Sequence, residues 1–243
     1  MQKDRPIAHR IYFPDLTRVA DATKLRLDGP EAHHAARVKR ARAGEMVALF
    51  DGRGEIAHAE VLDASHGKNA SLDVRLLSRQ HHVALEPRLE IWCPPPKGDR
   101  LETMIDQLSQ IGAACWRPLR TARSERDAFR AEKTERAAIE SAKQCGRAWL
   151  IEIGDWIDFA DAIQDQRAVL ADASGMSAKP IPSGCVLMLG PEGGWTQQER
   201  EQAGRHQRAT IRFAPHVMRI ETAAVAGAAC LLANATLTPG GQP

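Results

Sequence analysis

The sequence predicts an α/β protein, with a small β-barrel in front of a larger domain built on a mostly parallel sheet. Two observations carry this. Up to about residue 75, short strands surround a single helix. Beyond a junction near residues 80–87, apolar strands alternate with helical stretches, the pattern of parallel strands joined by crossover helices. The 243 residues suffice for one large domain or two smaller ones, and the division is set at 1–80 and 81–243.

In order, "RIYFP" is extended. "DGPEAHHAARVKRAR" opens a helix, with Asp28 as N-cap, Pro30 in the first turn and Glu31 placed to complete a capping box. "EMVALFDGRGEIAHAEVLDA" is a hairpin about Asp51-Gly52, and "NASLDVRLLS" alternates as a further strand. In the second part "RLEIWCPP" is a strand and "GDRLETMIDQLSQIGA" a helix ending at Gly112. "CWRPL" is a strand, "RAEKTERAAIESAKQCGR" a helix ending at Gly146, "FADAIQDQ" a short helix and "RAVLADASG" a strand. "GCVLMLG" is a strand followed by the helix "WTQQEREQAGRH", then strand "ATIRFA" and the small-residue helix "ETAAVAGAACLLANATL". The tail "TPGGQP" is expected to fray.

A net charge of only +2 leaves partner choice to the distribution of charge. No apolar run approaches the ~18 residues of a transmembrane helix, and "MQKDRPIAHRIYFP" lacks the apolar core of a signal peptide. Five cysteines without a CxxC pair read as reduced thiols of a cytoplasmic protein, with no metal expected. His33-His34 and His81-His82 have no second ligand cluster near them in sequence and read as surface or packing residues.

The chemistry concentrates in two loops. "LGPEGGWTQQE", Leu189 to Glu199, follows a strand end, where ligands bind in open α/β sheets. Thr196 and Glu199 form a T-x-x-E capping box. Gly190, Gly193 and Gly194 allow close backbone approach and positive φ. A plain glycine-rich turn remains an alternative at this point. There is neither GxxxxGK[ST] nor GxGxxG, and Glu192 would repel a phosphate. The second loop, "FAPHVMRIETAAVAG", also joins a strand to a helix, with Arg219 and Glu221 at the helix mouth. Glu221 suits the helix dipole; Arg219 does not and needs another reason.

These loops resemble the signatures of the RsmE family, the 16S rRNA uracil-N3 methyltransferases of the knotted SPOUT superfamily. "LGPEGGWTQQE" is similar to that family's GPEGG loop, and "VMRIETAA" to its second loop. "RIYFP", "HHAARVKRARAGE" with its "DG" hairpin, "KGDR…QIGA" and "KQCGR" match in the same order along nearly the whole chain. The chain departs from the pattern at Gln110, Lys143, His216 and Ile220.

The resemblance implies a PUA-like RNA-binding barrel, a trefoil-knotted α/β domain, a homodimer and S-adenosylmethionine as cofactor without metal. The implied substrate is 16S rRNA within the small ribosomal subunit, methylated at N3 of the family position, uridine 1498. The rivals are a ribose 2′-O-methyltransferase of the same superfamily and a non-catalytic ribosome-assembly factor. Ala171, Leu189, Gly190, Pro191, Glu192, Gly193, Ala214, Val217, Met218 and Ile220 would surround the donor. Arg219 would stabilise the anion formed at the uracil; a guanidinium cannot be the base. Glu221, His216 or water are open as bases. For phosphates, one basic stretch holds Arg37, Lys39, Arg40 and Arg42, with Arg10 nearby. A second holds Arg117, Arg120, Arg123, Arg126 and Arg147. With few aromatic residues, base stacking is not expected to dominate RNA affinity.

Overall fold

A computed structural model of the chain describes residues 5–20, 23–38, 40–65, 67, 70–125, 128–179 and 184–233. Lys39, Arg126 and the tail "TPGGQP" lie outside these residues. The chain divides into two compact units, with residues 142–150 grouped with 1–84 in the first.

The first unit holds β1 (Ile7–Tyr12), β2 (Lys24–Leu27), α1 (Gly29–His33), β3 (Met46–Phe50), β4 (Glu55–Ser65) and β5 (Ser71–His81). The strand order is β1-β3-β4-β5-β2, so β1 and β2 end the hydrogen-bonded ladder. β1 runs parallel to β3, and the other pairings are antiparallel. Alternating residues of β4 and β5, Ala57, Ala59, Val61, Leu72, Val74 and Leu76, are buried with Leu16, Leu27 and Ala35. That alternation is the period-2 signature of a strand with one buried face.

Residues 142–150 fall on the far side of the expected boundary for a physical reason. Ala142 and Ala148 are buried with Ala48, Phe50 and Ile56, and Tyr12, Trp149 and Leu150 pack on this cluster. The amide of Leu150 donates to the Gly52 carbonyl at 3.0 Å. Nothing local in "AKQCGRAWL" announces so distant a partner.

The N-terminal helix also corrects the sequence. α1 spans only Gly29–His33 and continues as a π-helical turn over His34–Val38. Asp28 is the N-cap, but its side chain makes no capping bond. Glu31 does not turn back to it. Its carboxylate instead accepts from the Tyr12 amide at 3.4 Å and pairs with Lys143 at 3.0 Å. A charge-assisted contact outcompetes the local neutral one. It also accounts for lysine at 143, a departure from the family pattern.

The second unit holds β6 (Leu89–Cys93), α2 (Arg100–Ile111), β7 (Cys115–Arg120) and α3 (Ala131–Cys145), whose last turn lies in the first unit. It continues with β8 (Glu152–Ile153), β9 (Ile157–Asp158), α4 (Phe159–Ala162), β10 (Ala168–Ser177) and β11 (Cys185–Leu189). It ends with α5 (Gln197–Arg205), β12 (Ala209–Arg212) and α6 (Ile220–Leu232). The strand order is β12-β10-β11-β6-β7-β8, with β9 beside β7, and every pairing is parallel.

Both faces of the sheet are covered, which is why β6 and β11 are buried at every residue. Leu89, Ile91, Leu187 and Leu189 pack with Leu101, Ile105, Leu108, Ala224 and Ala228 of α2 and α6. Trp92, Val186 and Met188 pack on the other face with Phe159, Trp195 and Ala203. The small residues of α6 let it approach closely. A Cβ on Gly227 would stand 2.5 Å from Leu187 Cδ2.

Two differences from the sequence reading are local. "FADAIQDQ" yields only four helical residues, because the Asp165 carboxylate folds back to accept from the Arg167 amide and guanidinium at 2.7–3.1 Å. The two-residue strands β8 and β9 are too short to carry a period.

Candidate active site

The site is assembled at the carboxyl edge of the parallel sheet, where β11 and β12 give way to the two loops. Val169 to Ala171 of β10 lie in register with Leu187 to Leu189 of β11, so Ala171 stands beside the start of the glycine loop.

The glycine loop is tightly fixed. Its turn closes through a 2.7 Å bond from the Gly194 amide to the Pro191 carbonyl, with Gly194 at φ +66°. Of the three glycines, only Gly194 uses positive φ; the freedom expected at Gly190 and Gly193 is not exercised. Gly190 instead lies against a ring: a Cβ there would be 3.2 Å from the Trp195 indole. Trp195 is buried, and its Nε1 donates to the Ala171 carbonyl at 2.9 Å.

Thr196 caps α5 with both halves of the capping box formed. Glu199, only 5% exposed, does more than cap. Its Oε2 accepts from the Thr196 amide at 2.7 Å, and its Oε1 accepts from the Ala122 amide at 2.9 Å. Arg123 donates to the Gly193 carbonyl. Arg200 donates to the Trp195 carbonyl at 2.9 Å and to Asp172 at 2.9 and 3.0 Å. Burial disfavours the Asp172 anion, but hydrogen bonds from Ser174 and Arg200 outweigh it, and its pKa lies below the ordinary value.

The second loop is the opposite. Pro215 and His216 are exposed, and Val217 is 89% exposed. Ala214 and Met218 are half-buried. Arg219 is the N-cap of α6, with extended φ −63° and ψ 152°, and makes no capping bond. Its side chain is exposed. Glu221 lies in the first turn; its Oε1 is 3.5 Å from Arg100, while Oε2 is buried without a hydrogen-bond partner among the described residues.

Of the residues expected around the donor, Leu189, Pro191 and Ile220 have buried side chains, Leu189 and Ile220 in the core beneath the loops. Their backbones, not their side chains, border the edge. Glu192 and Gly193 are exposed, and Ala171 is half-buried. Trp195, the third bond of Glu199, the Asp172–Arg200 pair and Arg100 escaped the sequence reading. A tryptophan immediately after paired glycines was the available signal for the first.

Arg37, Arg40 and Arg42 are exposed. In the second set, Arg117 stacks on Trp92 and Arg120 on Trp156, with centroid distances of 5.4 and 4.6 Å. Arg120 also pairs with Asp158, and Arg123 is engaged by the glycine loop. Arg147 belongs to the first unit, where Arg10 donates to its carbonyl at 3.3 Å and lies 5.4 Å from the Phe50 ring centroid. Burial pulls the pKa of both guanidiniums below the ordinary arginine value. The paired histidines are packing residues in part: His81 bonds Glu55 at 2.8 Å and meets Trp149 edge-on.

Residues 84–232 match the model of the RNA methyltransferase domain, and residues 27–74 that of the RNA methyltransferase PUA domain. The Ribosomal RNA small subunit methyltransferase E of Bacillus subtilis is 25% identical, over 95% of this chain and 99% of that one. The crystal structure of a probable rRNA-methyltransferase from Porphyromonas gingivalis superposes with a TM-score of 0.80 at 26% identity, covering 90% of this chain and 95% of the other. That of a Ribosomal RNA small subunit methyltransferase E from Neisseria gonorrhoeae bound to S-adenosyl methionine gives 0.75 at 23%, covering 93% and 97%.

Proposed function

Because the chain belongs to the RNA methyltransferase family, matched over residues 84–232, we propose that it transfers a methyl group from S-adenosylmethionine to N3 of a uridine in the 16S rRNA of the small ribosomal subunit. The position is the family's uridine 1498. The observation that carries this reading is the pairing, at one sheet edge, of a fixed glycine loop with an exposed cation at the N-terminus of α6.

The residues present fit the donor. Val217, 89% exposed, with half-buried Ala214, Met218 and Ala171, offers apolar surface that a flat adenine would cover. Glu192, exposed beside Gly193, is a hydroxyl acceptor for a ribose. The backbones of Leu189, Gly190, Pro191, Gly193 and Ile220 complete the wall. When bound, the donor supplies a methyl group activated by a sulfonium. The protein's own task is to deprotonate N3 and stabilise the negative charge that spreads to O2 and O4. Arg219, exposed at the N-cap of α6, donates to one of these oxygens. Glu221, held by Arg100, steadies the first turn behind it.

Arg37, Arg40 and Arg42, all exposed, contact RNA phosphates, and so do Arg10 and Arg147 of the first unit. Arg123 supports the loop and contacts RNA only with its remaining donors. The chain works as a cytoplasmic homodimer, and the close approach of Gly227 to Leu187 and Phe213 supports the knotted threading of the family.

Isothermal titration with S-adenosylmethionine, followed by label transfer to small subunits lacking the modification, tests the reading. Saturable binding and label in 16S rRNA are expected, and Gly193→Val should abolish binding while the fold persists. Absence of binding would favour an assembly factor without activity.

A further inference from the structure

The reaction needs a group to take the N3 proton, and Arg219 cannot serve. Beside the carboxyl edge of β6 lies a cavity of about 360 Å³, lined by Pro96, Gly98, Leu101, Glu102, Phe129 and Lys133 among others. Its apolar side is firm. Phe129 meets Trp116 edge-on at 5.2 Å and Trp156 at 6.0 Å. Its polar side carries both signs. Lys133 Nζ is 2.6 Å from Asp99 Oδ1 and 3.3 Å from Glu102 Oε1.

The other oxygen of Glu102, Oε2, is buried without a hydrogen-bond partner among the described residues. Such a group costs stability unless a ligand satisfies it. Glu102 occupies the third position of α2, where a capping-box glutamate would fold back on the N-cap. Asp99 makes no capping bond, and Glu102 reaches Lys133 instead.

Two links place the cavity at the reaction site. β6 and β11 pair in parallel, Met188 opposite Trp92, so residues 94–98 leave the sheet beside the glycine loop. Arg100, between the lining residues Asp99 and Leu101, pairs with Glu221, two residues beyond Arg219.

We infer that this cavity receives the target base turned out of its stack, and that Glu102 accepts the N3 proton. The inference rests on the reading above. Enzymes acting on a base read its Watson–Crick edge by hydrogen bonds and cover its faces with apolar side chains. Uracil presents N3–H between two carbonyl oxygens. Here a carboxylate stands beside an ammonium: Glu102 accepts N3–H, Lys133 donates to a flanking oxygen, and Phe129 and Leu101 cover the ring. Cytosine, with a lone pair at N3, would face the carboxylate with an acceptor.

As the N3–H bond breaks, the proton passes to the Glu102 carboxylate. The electron pair of N3 forms the N–CH3 bond, and the electrons of the broken S–CH3 bond remain on sulfur, leaving a neutral thioether. Glu102 returns its proton to water as product leaves. The methylated base has no N3 proton to offer Glu102, which favours its release.

The test uses small subunits reconstituted with 4-thiouridine at the target position and irradiated with the full-length protein. Crosslinked peptides should map to residues 94–102 or 128–133. In parallel, Glu102→Gln should keep donor affinity and subunit affinity within about threefold of wild type, while single-turnover transfer falls about 10²–10⁴-fold. Crosslinks confined to other segments, or absent where wild type methylates, would overturn the inference. So would a Glu102→Gln rate within about threefold of wild type. In either case 3-methyluridine made by the wild type leaves the reading above standing; its absence would overturn both.

Discussion

The two loops at the sheet edge are both strand-to-helix connections, yet they are held in opposite ways. Between Leu189 and Glu199 the chain is fixed by the Trp195 bond to Ala171, by a two-way capping box, and by Ala122, Arg123 and Arg200. Between Ala214 and Arg219 it presents an exposed valine and an arginine N-cap without a capping bond. The first loop spends its side chains on its own shape and offers backbone. The second leaves Val217 and Arg219 exposed. Substitutions of the buried Trp195 and of the Thr196–Glu199 cap should therefore be read as stability, and those of exposed Gly193, Val217 and Arg219 as binding and rate.

The largest break in that contrast would come from Trp195→Ala. Losing a buried indole should cost about 3–5 kcal/mol, measurable as a fall in the denaturant midpoint; a midpoint near wild type would mean the loop does not depend on its ring. Arg219→Ala should do the reverse. Turnover should drop about 100-fold, with the melting temperature held, and a normal rate in a folded variant would remove Arg219 from the chemistry.

Smaller effects sharpen the picture. Thr196→Ala removes one half of the capping box and should lower stability by about 1 kcal/mol, whereas Val217→Ser should change it by less than about 0.5 kcal/mol and weaken donor binding in calorimetry. Thiol labelling gives a local reading. Burial pushes Cys185, at the end of β11 away from the glycine loop, up to about 11. At pH 8 it should resist iodoacetamide until the second unit unfolds, while exposed Cys145 reacts at once. Early loss of Cys185 would show that the amino end of the parallel sheet opens before global unfolding.

How much of this was legible in the sequence follows the range of the interactions. α5 was readable because Thr196 and Glu199 signal within four residues. The fully buried β11 stood out as an apolar run, and β6 as one broken by Glu90. Glu31 was misread because its partner Lys143 lies far along the chain and wins over the local cap. The placement of residues 142–150 was hidden for the same reason: Ala148 and Trp149 find their neighbours on β3 and β4. At the site, the loop residues were visible as a pattern, but their division of labour was not. That division depends on Arg123, Ala122 and Asp172 arriving from other connections.

The most direct measurement is the identity of the methylated nucleoside. Small subunits lacking the modification would be incubated with the protein and S-adenosylmethionine, and their 16S rRNA digested and analysed by mass spectrometry. The account predicts 3-methyluridine. A 2′-O-methylated nucleoside in its place would contradict it, keeping the fold and the donor but moving the chemistry from the base to the ribose.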